Sequence, residues 1–108
     1  MSFYVTTPIF YGNGEPHLGH AYSTMAADIL ARHMRQRGEE VFFLTGTDEH
    51  GQKMIQTAEK QGLTPQELVD RSAQSFRDMA AKVDATNDFF IRTTDQGHIE
   101  RVQAVVDR

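Results

Sequence analysis

Five strand-forming residues, Phe3-Tyr4-Val5-Thr6-Thr7, run into Pro8, and from Leu18 the apolar residues recur at helical spacing instead. Between them lie Gly12, Asn13, Gly14 and Pro16, which punctuate a turn. A proline cannot donate to a ladder, so the strand ends where it stands. This change of period commits the chain to folds in which a strand hands over directly to a helix.

The same alternation continues downstream. Tyr22, Met25, Ala26, Ile29, Leu30 and Met34 predict one long amphipathic helix, with Arg32, Arg35 and Arg37 in its last turns and Gly38 ending it. Val41-Phe42-Phe43-Leu44 is an unbroken apolar run, as expected of a strand covered on both faces. TGTDEHG, residues 45–51, then reads as a polar loop, and Met54, Ile55 and Ala58 as a short helix stopping at Gly62. Thr64-Pro65-Gln66-Glu67 caps the next helix, whose face is traced by Leu68, Ser72, Phe76, Met79, Ala80 and Val83. Asp88 to Thr93 predicts a third strand, and Asp95 the cap of a helix beginning at Gln96 with Ile99, Val102 and Val106 on one side. Met25, Met34, Met54 and Met79 are assigned to helix cores.

Strand and helix in this order predict a doubly wound α/β domain with a parallel sheet, helices on both faces and ligands at the carboxyl ends of the strands. The polar clusters 11–20 and 45–51 both follow strands and should lie side by side on one rim. With 108 residues, one domain is the expectation. A net charge of −4 gives no broad basic field for gripping nucleic acid, and the absence of cysteine excludes disulfides and thiolate metal cages. No apolar run is long enough to span a membrane and no signal segment opens the chain, so a cytoplasmic protein with no membrane partner is expected.

Two histidines stand where strand gives way to helix. If Pro16 and His17 open the helix, His17 and His20 share a face beside unpaired N–H groups and the positive end of the dipole, a place suited to anions. Gly19 between them lets a phosphate or flat ring approach the backbone. Three readings remain open on these residues alone: ordinary capping and surface histidines, a metal site completed by His50 or Asp48, and imidazoles donating hydrogen bonds to a transferring phosphoryl group.

The surrounding residues carry a resemblance. His17-Leu18-Gly19-His20 resembles the HIGH signature of class I aminoacyl-tRNA synthetases, whose catalytic domain is a Rossmann-like doubly wound sheet. TTPIFYGNGEPHLGH (6–20), FLTGTDEHG (43–51) and FIRTTD (90–95) resemble the methionyl-tRNA synthetase family in particular. The resemblance implies a methionine–tRNA ligase, which joins methionine to ATP as methionyl-adenylate and then passes methionyl to the terminal ribose of tRNA(Met). It implies that His17 and His20 are catalytic and that His17, Gly19, His20 and Asn13 bind ATP, which enters with Mg2+. It implies that methionine lies against Ile9, Tyr11 and Asp48, the last meeting its α-ammonium. For His50 three expectations stay open: a residue supporting that site, a loop-locking residue, or a neighbour of the adenosine. No metal ligand is assigned in this chain; Zn2+ belongs to the family's connective domain.

Other residues receive plainer expectations. Glu49 is structural or solvent-facing, Thr45 and Thr47 stabilise the loop, and His33 and His98 lie on helix surfaces. Gly12 stands where the family pattern suggests a bulkier residue, which should loosen the loop beside Tyr11. The family's KMSKS signature does not occur here. Residues 1–108 are therefore expected to be the N-terminal half of the nucleotide-binding catalytic domain, without the connective, KMSKS and anticodon-binding regions, and inactive alone. Two rivals are a nucleotidylyltransferase of the HxGH type and a non-catalytic fragment that binds nucleotide or a partner.

Overall fold

The computed structural model describes residues 1–108. Its elements are β1 (Ser2–Thr6), β2 (Phe10–Tyr11), α1 (Leu18–Gln36), β3 (Glu40–Asp48), α2 (Gln52–Gln61), α3 (Pro65–Lys82), β4 (Phe89–Arg92) and α4 (Gln96–Val106). Every strand pair is parallel, as the alternation of elements predicts. Leu44 pairs with Thr6 on one edge of β3 and with Phe89 on the other; Thr47 likewise pairs with Phe10 and Arg92. So β1 and β2 are two pieces of one edge strand, broken where Pro8 withholds a donor, and β4 forms the opposite edge.

Two strand boundaries differ from expectation. Thr45-Gly46-Thr47-Asp48, read as loop, is the second half of β3, because partners on both sides continue the ladder that far. Gly46 is the residue that permits it: a Cβ there would fall on the Ile91 carbonyl of β4. The second difference is β2, which the apolar Phe10-Tyr11 supplies beyond the proline.

The sheet advances in one direction, from β1 through β3 to β4, so right-handed crossovers bring α1 and α3 to the same face rather than to both. That face carries Phe43 and Thr45, both buried, with Val5 and Val41 packed on Ala27 and Ala31 of α1. The opposite face leaves Tyr4 and Phe42, 59% and 46% exposed, stacked on each other. The apolar run of β3 is thus covered on one side only. A second cluster, Met54, Ala58, Leu68 and Val69, closes α2 onto α3 and receives Tyr11 and Leu63.

Helix α1 has the predicted period in a different phase. Thr24, Ala27, Asp28 and Ala31 face inward, whereas Tyr22, Met25, Ile29 and Leu30 are exposed. Small residues let the helix lie close to Phe43, and Asp28 is tolerated there because its bonding is complete. Its carboxylate accepts from the Thr86 amide at 2.8 Å, from the Thr86 hydroxyl and from Arg32 at 2.7 Å. Arg35 reaches the same 84–88 turn, binding Asp88, which in turn accepts the Phe43 amide. Of the four methionines assigned to cores, Met54 is buried, Met34 and Met79 are half-buried, and Met25 is exposed. Helix α4 buries none of its residues, and Asp95 at its start accepts the Arg92 amide rather than a helix N–H. No helix is long and apolar enough to cross a membrane.

Candidate functional site

Helix α1 begins at Leu18, where the helical period starts, with His17 as its N-cap in an extended conformation. The Gly19 amide donates to His17 Nδ1 at 3.0 Å, and the His17 amide donates to His20 Nδ1 at 3.0 Å. This is a capping box in which imidazoles replace the usual hydroxyl and carboxylate. The two rings stack with centroids 3.9 Å apart and planes inclined by 30°. A Cβ on Gly19 would meet the His17 ring at 2.9 Å, so the capping geometry itself requires glycine there.

Capping and anion-binding readings converge at this point. An N–H directed at Nδ1 requires that nitrogen to be unprotonated, which places the proton of each neutral ring on Nε2. Both histidines therefore hold one nitrogen inward on the backbone and offer the other as a donor. Neither imidazole is lost to the cap; each is oriented by it.

His20 is further held by aromatic neighbours. Its ring meets the edge of Phe10 at 4.8 Å and of Phe76 at 4.9 Å, while Phe10 and Phe76 stack at 5.3 Å. Burial in this apolar setting, and after it the adjacent His17, lowers the His20 pKa from its ordinary value of 6.5. His20 is accordingly neutral at pH 7. Phe10 and Phe76 come from β2 and α3 and were not legible as site residues; only the apolar dipeptide after Pro8 signals the first.

The second group lies at the end of β3. Asp48 is the register partner of Tyr11, and its carbonyl accepts the Gly12 amide at 3.0 Å, so the two polar clusters share a rim as expected. The half-buried Asp48 carboxylate makes no hydrogen bond or ion pair within the chain. Tyr11 packs on the α2–α3 cluster, and its hydroxyl lies over Gly51, where a Cβ would come within 2.5 Å. Gly51 has φ 131°, a value that only glycine adopts readily. Ile9 is 40% exposed beside them. Phe10 joins the groups, because its neighbour Tyr11 registers with Asp48 and its own ring packs on His20.

Asn13 lies apart from this pairing, lining a cavity of about 280 Å³ with Gln61, Arg71 and Ser72. His50 is exposed, with Nε2 3.2 Å from the Thr93 carbonyl. Gly12 is buried yet leaves room for a side chain, since a Cβ would sit 3.4 Å from Met54 and 3.6 Å from the Asp48 carbonyl. No cluster of three or more His, Cys, Asp or Glu residues converges to hold a metal. His33 is exposed and His98 half-buried on their helices.

Glu49 turns inward, and its side chain is 0% exposed. Arg92 grips it with two bonds, at 2.7 and 3.0 Å; Thr47 and Thr94 each donate at 2.6 Å. Burial alone would raise the Glu49 pKa, but these donors, Arg92 foremost, outweigh it and hold it below the ordinary value. The Thr93 hydroxyl accepts the Glu49 amide at 2.8 Å, and Thr45 pairs with Thr7 at 2.7 Å. Thr45 and Thr47 thus stabilise by hydroxyl bonding, from strand positions rather than from a loop.

Known proteins resemble this chain in sequence and fold. The family model described as tRNA synthetases class I (M) matches residues 3–108. A methionine–tRNA ligase of Rhizobium meliloti is 59% identical over 95% of this chain and 20% of its own length; one of Thermotoga maritima is 55% identical over 98% and 17%. The crystal structure of Mycobacterium tuberculosis methionyl-tRNA synthetase bound by methionyl-adenylate superposes with a TM-score of 0.91 at 45% identity, covering 93% of this chain and 20% of that one. The chain spans about one fifth of the length of these relatives.

Proposed function

The chain belongs to the class I tRNA synthetases of the methionine type, and from that premise we propose that it supplies the histidine side of a methionine-activating site. The full-length protein is then a methionine–tRNA ligase of the cytoplasm. Residues 1–108 form the first half of its nucleotide-binding catalytic domain.

In the first reaction a methionine carboxylate oxygen attacks the α-phosphorus of ATP, the bond to the β-phosphate oxygen breaks, and pyrophosphate leaves. Such a reaction needs no enzyme nucleophile; positioning and charge stabilisation carry it. His17 and His20 donate through Nε2–H to the phosphate oxygens, and Gly19 admits the nucleotide close to the start of α1. Asn13 assists from the turn before the helix. Mg2+ enters with ATP and neutralises phosphate charge when bound; zinc, where the family carries it, is assigned to none of these residues.

Asp48 receives the methionine α-ammonium in a charge-assisted bond, and a carboxylate without an internal partner suits that role. Ile9 and Tyr11 line the thioether side, where selection rests on shape and apolar contact. In the second reaction the terminal ribose hydroxyl of tRNA(Met) attacks the adenylate carbonyl and AMP leaves; most of the tRNA contact falls to other parts of the protein.

The observation that carries this reading is the histidine capping box, which leaves two adjacent Nε2–H donors at a helix start. It is tested by exchange of labelled pyrophosphate into ATP with the full-length protein across a panel of amino acids. Methionine alone should drive exchange, and exchange driven best by another amino acid would overturn the assignment.

A further inference from the structure

Asp48 has no internal partner for its carboxylate, so its aim depends on how the backbone on either side of it is held. On one side the ladder holds it, through Tyr11 and the Gly12 amide. On the other side the chain leaves the sheet, and the next residue is Glu49.

Glu49 is tied by four side-chain bonds to Thr47, Thr94 and Arg92, and its amide is held by Thr93. Arg92 extends the tie to α3, donating to Asp70 at 2.6 Å, and Asp70 also accepts from Gln66 at 2.9 Å. The Arg92 side chain is 16% exposed, so this is a largely dehydrated ion pair. Burying two charges is costly, and an apolar pair of similar volume would hold two strands together at least as well. What the charged pair adds is direction: a bidentate fork fixes both oxygens of Glu49, and with them the carbonyl end of β3.

We infer that Arg92 and Glu49 are positioning residues for methionine recognition, locking the β3 terminus so that the Asp48 carboxylate is preset toward the substrate ammonium. The inference rests on the proposed function and deepens it. Neither residue touches substrate. The pair converts a strand end, where a chain ordinarily gains freedom, into a rigid mount. FIRTTD thereby acquires a physical purpose, since Arg92, Thr93 and Thr94 all bond to Glu49.

The test uses the full-length protein, with pyrophosphate exchange measured against methionine and against ATP, and a thermal melt of every variant. Arg92→Met should raise the KM for methionine about tenfold while the KM for ATP stays within about twofold, and Arg92→Lys should recover part of the loss. If Arg92→Met is unfolded at the assay temperature, Thr94→Val, which removes one donor from Glu49, should raise the methionine KM about threefold in the same selective way. An unchanged methionine KM in folded variants, or equal rises for methionine and ATP, overturns the positioning role. Asp48→Asn separates the two claims: normal methionine use by that variant overturns the functional reading itself, whereas impaired use by Asp48→Asn and normal use by the Arg92 variants overturns only the positioning role.

Discussion

The His17 amide donates to His20 Nδ1 at 3.0 Å, so one catalytic candidate is oriented by the backbone of the other. Stability and chemistry are therefore separable at His17, because the cap uses Nδ1 and the phosphate contact would use Nε2. His17→Ala should cost about 0.5–2 kcal/mol by loss of the cap. His17→Asn retains a capping oxygen and should stay within about 0.5 kcal/mol of the parent. Denaturant titration of both variants checks this, and equal losses would contradict the capping role.

His20 should titrate below 6.5, since burial against Phe10 and Phe76, and then His17, disfavours its charged form. A depressed histidine binds its proton more readily in the unfolded chain. Its contribution to stability is thus whole above pH 6.5 and declines as pH falls through the folded-state value. NMR titration of the ring protons reads this directly. Phe76→Ser should move the midpoint back up; a midpoint above 6.5 in the parent would refute the account.

Asp28 couples α1 to the turn before β4, and its removal should be severe. Burial alone would raise its pKa, but the Thr86 and Arg32 bonds outweigh burial and lower it from 3.8. Asp28→Ala leaves the Thr86 amide without its acceptor and frees Arg32, whose side chain is 49% exposed, a loss of about 1–3 kcal/mol for a buried donor left unpaired. The lowered pKa gives a second signature: the stability is present above pH 3.8 and is lost as pH falls through the folded-state value. The melting-temperature gap between parent and Asp28→Asn should narrow over that interval, and a constant gap would rule the linkage out.

Two glycines should respond oppositely to alanine. Gly12 has room for a methyl group and no positive φ, so Gly12→Ala should stabilise by about 0.4–1 kcal/mol through the unfolded state. At Gly46 the added Cβ would fall on the Ile91 carbonyl, forcing β3 from β4. Gly46→Ala should then destabilise by about 1–3 kcal/mol or more. Similar melts for the two variants would show that the β3–β4 contact is looser than described.

The parallel α/β order was readable because period, punctuation and length changed together at Pro8, Gly38 and Gly62. The phase of α1 was not: larger apolar residues at Tyr22, Met25 and Ile29 outweigh Ala27 and Ala31 on paper, yet small residues are what a helix needs to lie against Phe43. The extension of β3 through Thr45 and Thr47 was hidden because polar residues suit a loop until the fold satisfies them: Thr45 pairs with Thr7, 38 positions away, and Thr47 donates to Glu49, which Thr93 and Thr94 hold from 44 and 45 positions away. In the candidate site, His17 and His20 could be paired by local spacing, whereas Asp48 was indicated only by the family resemblance that TGTDEHG carries. Phe10, Phe76 and Arg92 could not be placed in it, since each acts through a contact made by the tertiary fold.

The central claim is that His20 donates a hydrogen bond from a neutral ring as phosphate charge shifts toward pyrophosphate. Single-turnover formation of methionyl-adenylate by the full-length His20→Ala variant tests it most directly. A rate lower by about a hundredfold, with methionine affinity unchanged, is the result expected for loss of one preorganised donor. An unchanged rate would contradict the account.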